Sequence, residues 1–405
     1  MNPIPFEEAR ELLLEMSRPV SAEKVSLDQC AGRIVAEDIK AAENVPPFDR
    51  SPYDGYAFRA DDTGKASKEN PAVLRILEEI PAGGIPHKEV VSGTAVKILT
   101  GAPIPPGADA VCMYEKTEFS DTEVRIFKPF RAGDNIVCAG EDIRAGSVLV
   151  KAGSKVDAGT AGVLASQGIA GIKVYRRPVI GIISTGSELT EIGEKRENGK
   201  IYNSNRYTFT CEASRAGGIP LYMGAVPDDP GAICSLLERA LSICDTVILT
   251  GGVSVGDYDY TARAMEMAGI RILVNGVSMK PGMACTYGIR DGKLVCGLSG
   301  NPASSLTNYY MVALPAIRRL AGISLTECRP REIPVILEEG YPKASPGTRF
   351  LRGRLDLTDG KVRMHIARDQ GNVVLSSSIG IDVMAMVPAG SGPVEPGTAL
   401  RGFLM

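Results

Sequence analysis

Three stretches of the chain combine small residues with carboxylates: Ser184-Thr185-Gly186-Ser187-Glu188-Leu189, Pro227-Asp228-Asp229-Pro230, and Thr250-Gly251-Gly252-Val253-Ser254, which continues to Asp259, Tyr260 and Thr261. Gly, Ser and Thr let backbone N–H groups approach an oxyanion, and a following helix start adds partial positive charge. Glu188, Asp228 and Asp259 are hard oxygen donors, suited to Mg²⁺ held jointly with a phosphate. Each stretch alone is compatible with an ordinary turn or cap. Together they point to a phosphate-bearing, nucleotide-like ligand with a divalent cation. The pattern is neither the glycine fingerprint of a dinucleotide fold nor a Walker loop.

Two further segments carry unusual polarity. Ser278-Met279-Lys280-Pro281-Gly282-Met283 sets a lysine in a rigid Pro-Gly turn, where an ammonium is fixed beside an anion. Leu298-Ser299-Gly300-Asn301-Pro302-Ala303-Ser304-Ser305 opens a long helix, so its amides face whatever binds there.

Other chemistries are excluded by what is scarce. The chain has 2 histidines, His87 and His365, neither in a motif, which leaves no basis for a Ser-His-Asp hydrolase or a multi-His metal site. Its 9 cysteines include no Cys-x-x-Cys pair, so zinc ribbons and ferredoxin patterns are excluded and reduced thiols in the cytoplasm are expected. Net charge is −3, too little positive field for nucleic acid. No apolar run reaches the ~18–20 residues that span a bilayer, and the first residues lack a secretory pattern.

The elements that must position these residues follow from periodicity. Residues 5–40 read as helical, with Phe6, Leu12, Leu13 and Met16 at helical spacing and a second helix over 25–39. From 46 to 145 short strands at 73–76, 94–99, 110–113 and 124–127 suggest an all-β unit. Residues 157–168 read as a short helix. Between 177 and 322 strands and helices alternate, as in a doubly wound α/β sheet whose ligands bind at the carboxyl ends of the strands. Here Val179-Ile180-Gly181-Ile182-Ile183 reads as a doubly buried strand, Asn205 as the cap of a helix ending at Gly217-Gly218, and Asp291-Gly292 as a hairpin turn. Residues 330–405 return to strands, a small barrel or sandwich.

The motifs at 46–57, 99–103, 140–143, 184–189, 202–205, 250–261, 280–282 and 299–304 resemble, in family order, those of molybdopterin molybdenumtransferases of the MoeA and gephyrin E-domain type. The resemblance covers essentially the whole chain. It implies a multidomain α/β plus β fold: a helical part at 1–45 and 146–176, a projecting β domain at 46–145, a MogA/MoaB-like α/β domain at 177–327 and a C-terminal β-barrel at 328–405. It further implies an elongated homodimer and Mg²⁺-dependent insertion of molybdate or tungstate into adenylated molybdopterin, with release of AMP. An adenylyltransferase of the same pathway becomes an expected partner. On matching positions the catalytic set is Asp54, Thr100, Glu188, Asp228, Asp259 and Lys280, with Asp142 beside Asp54 on the projecting side. Glu188 and Asp259 are the metal ligands. Ser184, Thr185, Gly186, Gly251, Gly252, Ser254, Gly300, Asn301, Pro302 and Ser304 bind the nucleotide-like ligand, and Lys280, Arg352 and Ser377 the anion.

The chain departs from the family where the family is basic. Met283 and Ala284 stand where a second Lys and a Pro usually follow Lys-Pro-Gly, and Gly276 replaces a cation four positions before Lys280. Ser299 replaces a Pro, and Tyr53 a Met. Each missing cation removes about 1–4 kcal/mol of short-range attraction for an oxyanion, depending on the local dielectric. A non-catalytic or specialised molybdopterin-binding relative is therefore the second reading. A nucleotide-transfer activity of the sheet domain alone leaves the 46–57 and 100–103 motifs idle.

Overall fold

The computed structural model describes residues 3–253 and 260–405, so Ser254 and Asp259 lie outside the described residues. The chain divides into two compact units: Asp38–Lys151 with Ala158–Ala170, and Met1–Glu37, Ala152–Asp157 and Gly171–Met405. Among the described residues no helix is long and apolar enough to cross a membrane.

The smaller unit is built on a 6-stranded sheet in the order Ala110–Met113, Gly55–Phe58, Thr94–Ile98, Ala72–Ile80, Glu123–Ile126, Thr117–Phe119. Alternate side chains fill its core, among them Phe58, Leu74, Ala95 and Val124. Gly55 is required because a Cβ there would lie 2.0 Å from the Cys112 carbonyl oxygen. Gly55 pairs with Ile98 in antiparallel register, which brings Asp54 beside the turn that follows Thr94–Ile98.

In the larger unit the first helix runs Phe6–Met16 and buries Phe6, Ala9, Leu13 and Leu14. No second helix follows. Ala22–Ser26 is instead a strand antiparallel to Gly171–Tyr175, and Ile34 and Val35 bridge to Lys155 and Val174. Leu27, Cys30, Ala31, Ile34 and Val35 do fall at helical spacing, but only a 3-10 turn forms at Leu27–Gln29, and Gly32, at φ +72°, breaks the segment. Pairing with distant strands decides the structure here.

The central sheet has 6 strands in the order Ile219–Val226, Val179–Thr185, Thr246–Thr250, Lys293–Leu298, Cys285–Arg290, Arg271–Asn275. The first four are mutually parallel, and Cys285–Arg290 pairs antiparallel with both Lys293–Leu298 and Arg271–Asn275. The three inner parallel strands, Val179–Thr185, Thr246–Thr250 and Lys293–Leu298, are buried on both faces, as their apolar runs require, while the edge strand Ile219–Val226 is only partly covered. Ile180, Ile182 and Ile248 pack on one side with Phe209, Leu306 and Tyr309, while Ile183, Val247 and Leu249 pack on the other with Ile233, Leu237 and Met265. The hairpin turn has the expected primed geometry, with φ of 51° at Asp291 and 75° at Gly292. The long closing helix is α-helical over Pro302–Asn308 and Leu314–Leu320, with a π-helical turn at Tyr309–Ala313 between them. Pro315, which has no N–H to donate back into this turn, accounts for the break in the α ladder.

Glu332–Leu337, Arg363–Ile366, Arg349–Asp356, Val383–Val387 and Ala399–Leu404 close into a barrel. Phe350 and Phe403 on its outer wall meet Phe6 edge-on at centroid distances of 5.1 and 6.1 Å. Each such buried ring contributes roughly 1.5–3 kcal/mol. The barrel is thereby fixed to the first helix and the sheet core. Of the 9 cysteines, 6 are buried as small apolar residues.

Candidate active site

The carboxyl ends of the four parallel strands lie at one edge of the sheet, and the loops leaving them enclose a cavity of about 470 Å³. Thr185, Glu188, Asp228, Gly251, Gly252 and Asn301 face it. Gly251 adopts φ +100°, and a Cβ there would lie 2.4 Å from the Thr185 carbonyl oxygen, so no other residue fits. A Cβ on Gly252 would lie 2.9 Å from Thr261 Oγ1, 3.2 Å from Thr185 Oγ1 and 3.6 Å from Asp228 Oδ1. Three side-chain oxygens therefore converge on this bare stretch of backbone. Thr261 Oγ1 donates to the Gly251 carbonyl at 3.0 Å, but the buried Thr185 Oγ1 has no partner. A buried hydroxyl left unpaired costs about 1–3 kcal/mol, so it favours a ligand that pairs with it. At Gly186 a Cβ would lie 2.7 Å from both Glu188 carboxylate oxygens, which places that carboxylate back over the glycine.

A polar network supports this wall, built around Asn203, which itself lines the cavity. Asn203, not Asn205, caps the Ser204–Arg215 helix, its Oδ1 accepting from the Arg206 N–H at 3.2 Å. Ser184 Oγ donates to the same Oδ1 at 3.1 Å, so Ser184 supports the loop rather than lining the cavity. Asn203 Nδ2 donates to Glu191 at 3.0 Å, Tyr222 donates to Glu191 at 2.6 Å, and Arg206 pairs with it at 2.6 Å. Burial pushes the Glu191 carboxyl up, but these donors outweigh it and hold the group below the usual range. Asn205 reaches the Gly300 carbonyl at 2.9 Å, tying the helix to the fourth strand end. That fourth end, Lys293–Leu298 running into Ser299–Pro302, is the segment the sequence marks as a helix opening, and its place as a parallel strand end comes from its pairing with Thr246–Thr250.

A second cavity of about 520 Å³ adjoins the first, sharing Ser299 and Asn301 with it. Lys280, Met283, Ser304, Arg349 and Asn372 face this one. The Lys280 turn is held from two sides. Its backbone pairs with the barrel through Lys280 N–H to Thr348 O at 2.9 Å and Phe350 N–H to Lys280 O at 2.8 Å. Asn308 Nδ2 donates to Gly282 O at 2.6 Å, and the buried Tyr287 hydroxyl donates to Asn308 Oδ1. Arg352 and Ser377 are brought together, Arg352 Nε donating to Ser377 Oγ at 2.9 Å. Both are buried, neither faces this cavity, and desolvation lowers the Arg352 guanidinium to about 10. Arg352 Nη2 donates to Gly371 O at 3.2 Å, immediately before Asn372 in the cavity wall.

In the smaller unit Asp54 and Thr100 are in contact. Asp54 Oδ1 accepts from Thr100 Oγ1 at 2.6 Å and from Thr100 N–H at 2.7 Å, and these two donors hold its carboxyl below the usual range. Asp142 is exposed, its backbone N–H bonded to Val45 O at 3.0 Å. His365 pairs with Glu339 at 2.8 Å on the barrel surface, and His87 is exposed in a loop. Among the described residues no three His, Cys, Asp or Glu side chains gather as a closed metal cage. Two carboxylates on one cavity suit Mg²⁺, which commonly binds through one or two carboxylates plus ligand phosphate.

Comparison with known proteins matches the chain to three family descriptions. Residues 4–168 match the MoeA N-terminal region (domain I and II), 181–319 a probable molybdopterin binding domain, and 334–401 the MoeA C-terminal region (domain IV). A protein of Bacillus subtilis named molybdopterin molybdenumtransferase is 37% identical, the match covering 100% of this chain and 94% of that protein. One of the same name from Staphylococcus aureus is 37% identical over 98% of this chain and 94% of its own length. Among solved structures, a molybdopterin biosynthesis MoeA protein from Pyrococcus horikoshii superposes with a TM-score of 0.85 at 31% identity, covering 100% of both chains.

Proposed function

We propose, from the premise that this chain belongs to the molybdopterin molybdenumtransferase family, that it cleaves adenylated molybdopterin and loads the pterin with a tetrahedral oxyanion, molybdate or tungstate. The observation carrying this reading is the pair of adjoining cavities of opposite character: Glu188 and Asp228 face one, Lys280 and Arg349 the other, and Ser299 and Asn301 face both.

The first cavity suits the phosphate-linked part of the substrate. Gly251 and Gly252 leave backbone open to a phosphate, and Thr185 Oγ1 is unpaired beside them. Glu188 and Asp228 would hold Mg²⁺, with Asp259 as a further carboxylate outside the described residues. When bound, the cation supplies charge neutralisation at the phosphoanhydride whose cleavage releases AMP. The second cavity suits the oxyanion, with Lys280 as a fixed point charge and Ser304 as a hydroxyl partner. Arg352 and Ser377 support it by holding the Gly371–Asn372 backbone. Rate enhancement in such a site comes from positioning and fixed electrostatics.

The same reading includes a cytoplasmic homodimer, in which Asp54, Thr100 and Asp142 of a second copy meet the ligand, and delivery of substrate by an adenylyltransferase of the pathway. The neutral residues Met283 and Gly276 favour the second reading, a non-catalytic pterin-binding relative. One incubation separates the two. Chain, adenylated molybdopterin, molybdate and Mg²⁺ together should yield AMP by chromatography, and omission of any one should stop it. Tight pterin binding without AMP formation would establish the non-catalytic reading instead.

A further inference from the structure

We infer that Arg349 supplies the second positive charge of the oxyanion subsite, beside Lys280 and in place of the cations missing at positions 276 and 283. This rests on the reading that the Lys280 cavity receives an oxyanion.

The residues facing that cavity include two cations, Lys280 and Arg349, and no carboxylate. Arg349 is only 9% exposed and forms no ion pair among the described residues. Its Nε donates to Ser345 Oγ at 3.3 Å, and its guanidinium carbon lies 5.4 Å from the Tyr341 ring centroid. A buried guanidinium without a counter-charge is unfavourable, and an anion in the cavity offsets that penalty.

Placement is set by backbone. Lys280 and Arg349 are bridge partners in parallel register, so the two cations enter the cavity wall side by side. Arg349 occupies the first position of its barrel strand, and Arg352, three residues on, falls on the opposite face, as strand alternation demands. Arg352 is also buried, with Nε and Nη2 bonded to Ser377 and Gly371 and Nη1 unpaired, but it does not face the Lys280 cavity. The planar fork of Arg349 matches two oxygens of a tetrahedral dianion, a geometry a lysine does not reproduce.

Calorimetry on the full chain tests this, with tungstate as one probe and AMP as the other. R349Q should weaken tungstate binding about tenfold or more while leaving AMP affinity unchanged, and R349K should fall between. Met283 faces the same cavity, so M283K in the R349Q background should recover most of the lost tungstate affinity. Wild-type tungstate affinity in a folded R349Q overturns the inference alone, as does parallel loss of tungstate and AMP. No tungstate binding by the wild type overturns the subsite reading and the inference with it. Should R349Q not fold, a tungstate-soaked crystal of the wild type decides: a metal peak within hydrogen-bond reach of the Arg349 guanidinium supports the assignment, and a peak elsewhere removes it.

Discussion

Asn308 Nδ2 donates to the Gly282 carbonyl at 2.6 Å, so a side chain of the long helix fixes the turn that presents Lys280. Gly282 stands at φ +106°, and a Cβ there would lie 3.0 Å from Asn308 Cβ and 3.1 Å from Ser304 O. Tyr287, Asn308 and Gly282 thus form a dry hydrogen-bonded chain from the sheet to the ligand wall. Asn308→Leu leaves both the Tyr287 hydroxyl and the Gly282 carbonyl unpaired. It should cost about 2–4 kcal/mol in urea unfolding and weaken tungstate binding. Tyr287→Phe keeps the Gly282 bond, so it should cost less and leave tungstate affinity intact. Equal effects of the two variants on tungstate would show that Asn308 does not position the turn.

Gly251→Ala should be far more damaging than its size suggests. The added methyl would sit 2.4 Å from the Thr185 carbonyl oxygen, at a backbone angle that L-residues avoid. Gly269 is the control: it too has positive φ, +67°, but a Cβ there meets nothing within 4 Å. Gly269→Ala should cost about 1 kcal/mol and leave AMP binding unchanged. Gly251→Ala should cost more than that and lose AMP binding at least about tenfold. Calorimetric titration of both variants with AMP checks the contrast. Equal affinities would remove Gly251 from the binding loop.

Much of this loop was legible before any coordinates. Apolar runs at 179–183 and 246–249 can only be doubly buried strands, and glycines and carboxylates directly after such strands mark the ligand edge. Arg349 was not legible, because its meaning depends on an isolated bridge to Lys280, which lies 69 positions earlier in the chain. Asn203 and Asn205, two residues apart, offer the same capping chemistry, so the sequence alone does not choose between them. Only the Ser184 hydroxyl, arriving from the neighbouring strand, distinguishes them. Local signals reported what the residues could do, and long-range pairing chose among the options.

Glu188 and Asp228 offer a direct test of the cation. Both are exposed, so replacing either with its amide should barely alter stability, within about 0.5 kcal/mol. Glu188→Gln and Asp228→Asn should each raise the Mg²⁺ concentration needed for half-maximal AMP release by about tenfold or more, because each removes one hard anionic donor. An Mg²⁺ titration of the initial rate supplies the measurement. A lowered plateau at an unshifted midpoint would instead make these acids substrate contacts and not cation ligands.

The end of the sheet opposite the ligand edge depends on one ion pair whose pH response is predictable in sign. Asp245 accepts from Arg176 Nη1 at 2.7 Å, from Arg176 Nη2 at 2.5 Å and from the Val179 N–H at 2.7 Å, where the first parallel strand begins. Burial pushes its carboxyl up, but the Arg176 and Val179 donors prevail and hold it below the ordinary carboxylate value of 3.8. The unfolded chain therefore takes up a proton on Asp245 at a higher pH than the folded one does. The pair's stabilisation is full above that ordinary value and disappears as pH falls through the folded-state value, while Arg176 stays charged throughout. Asp245→Asn should be about 1–3 kcal/mol less stable than the wild type at pH 7. The gap should be the same at pH 6 and should narrow progressively below pH ~4. Urea midpoints for both proteins between pH 7 and pH 3 measure it. A gap that stays constant to pH 3 would mean that the carboxylate's charge contributes nothing here and that shape and neutral hydrogen bonding alone hold the strand start.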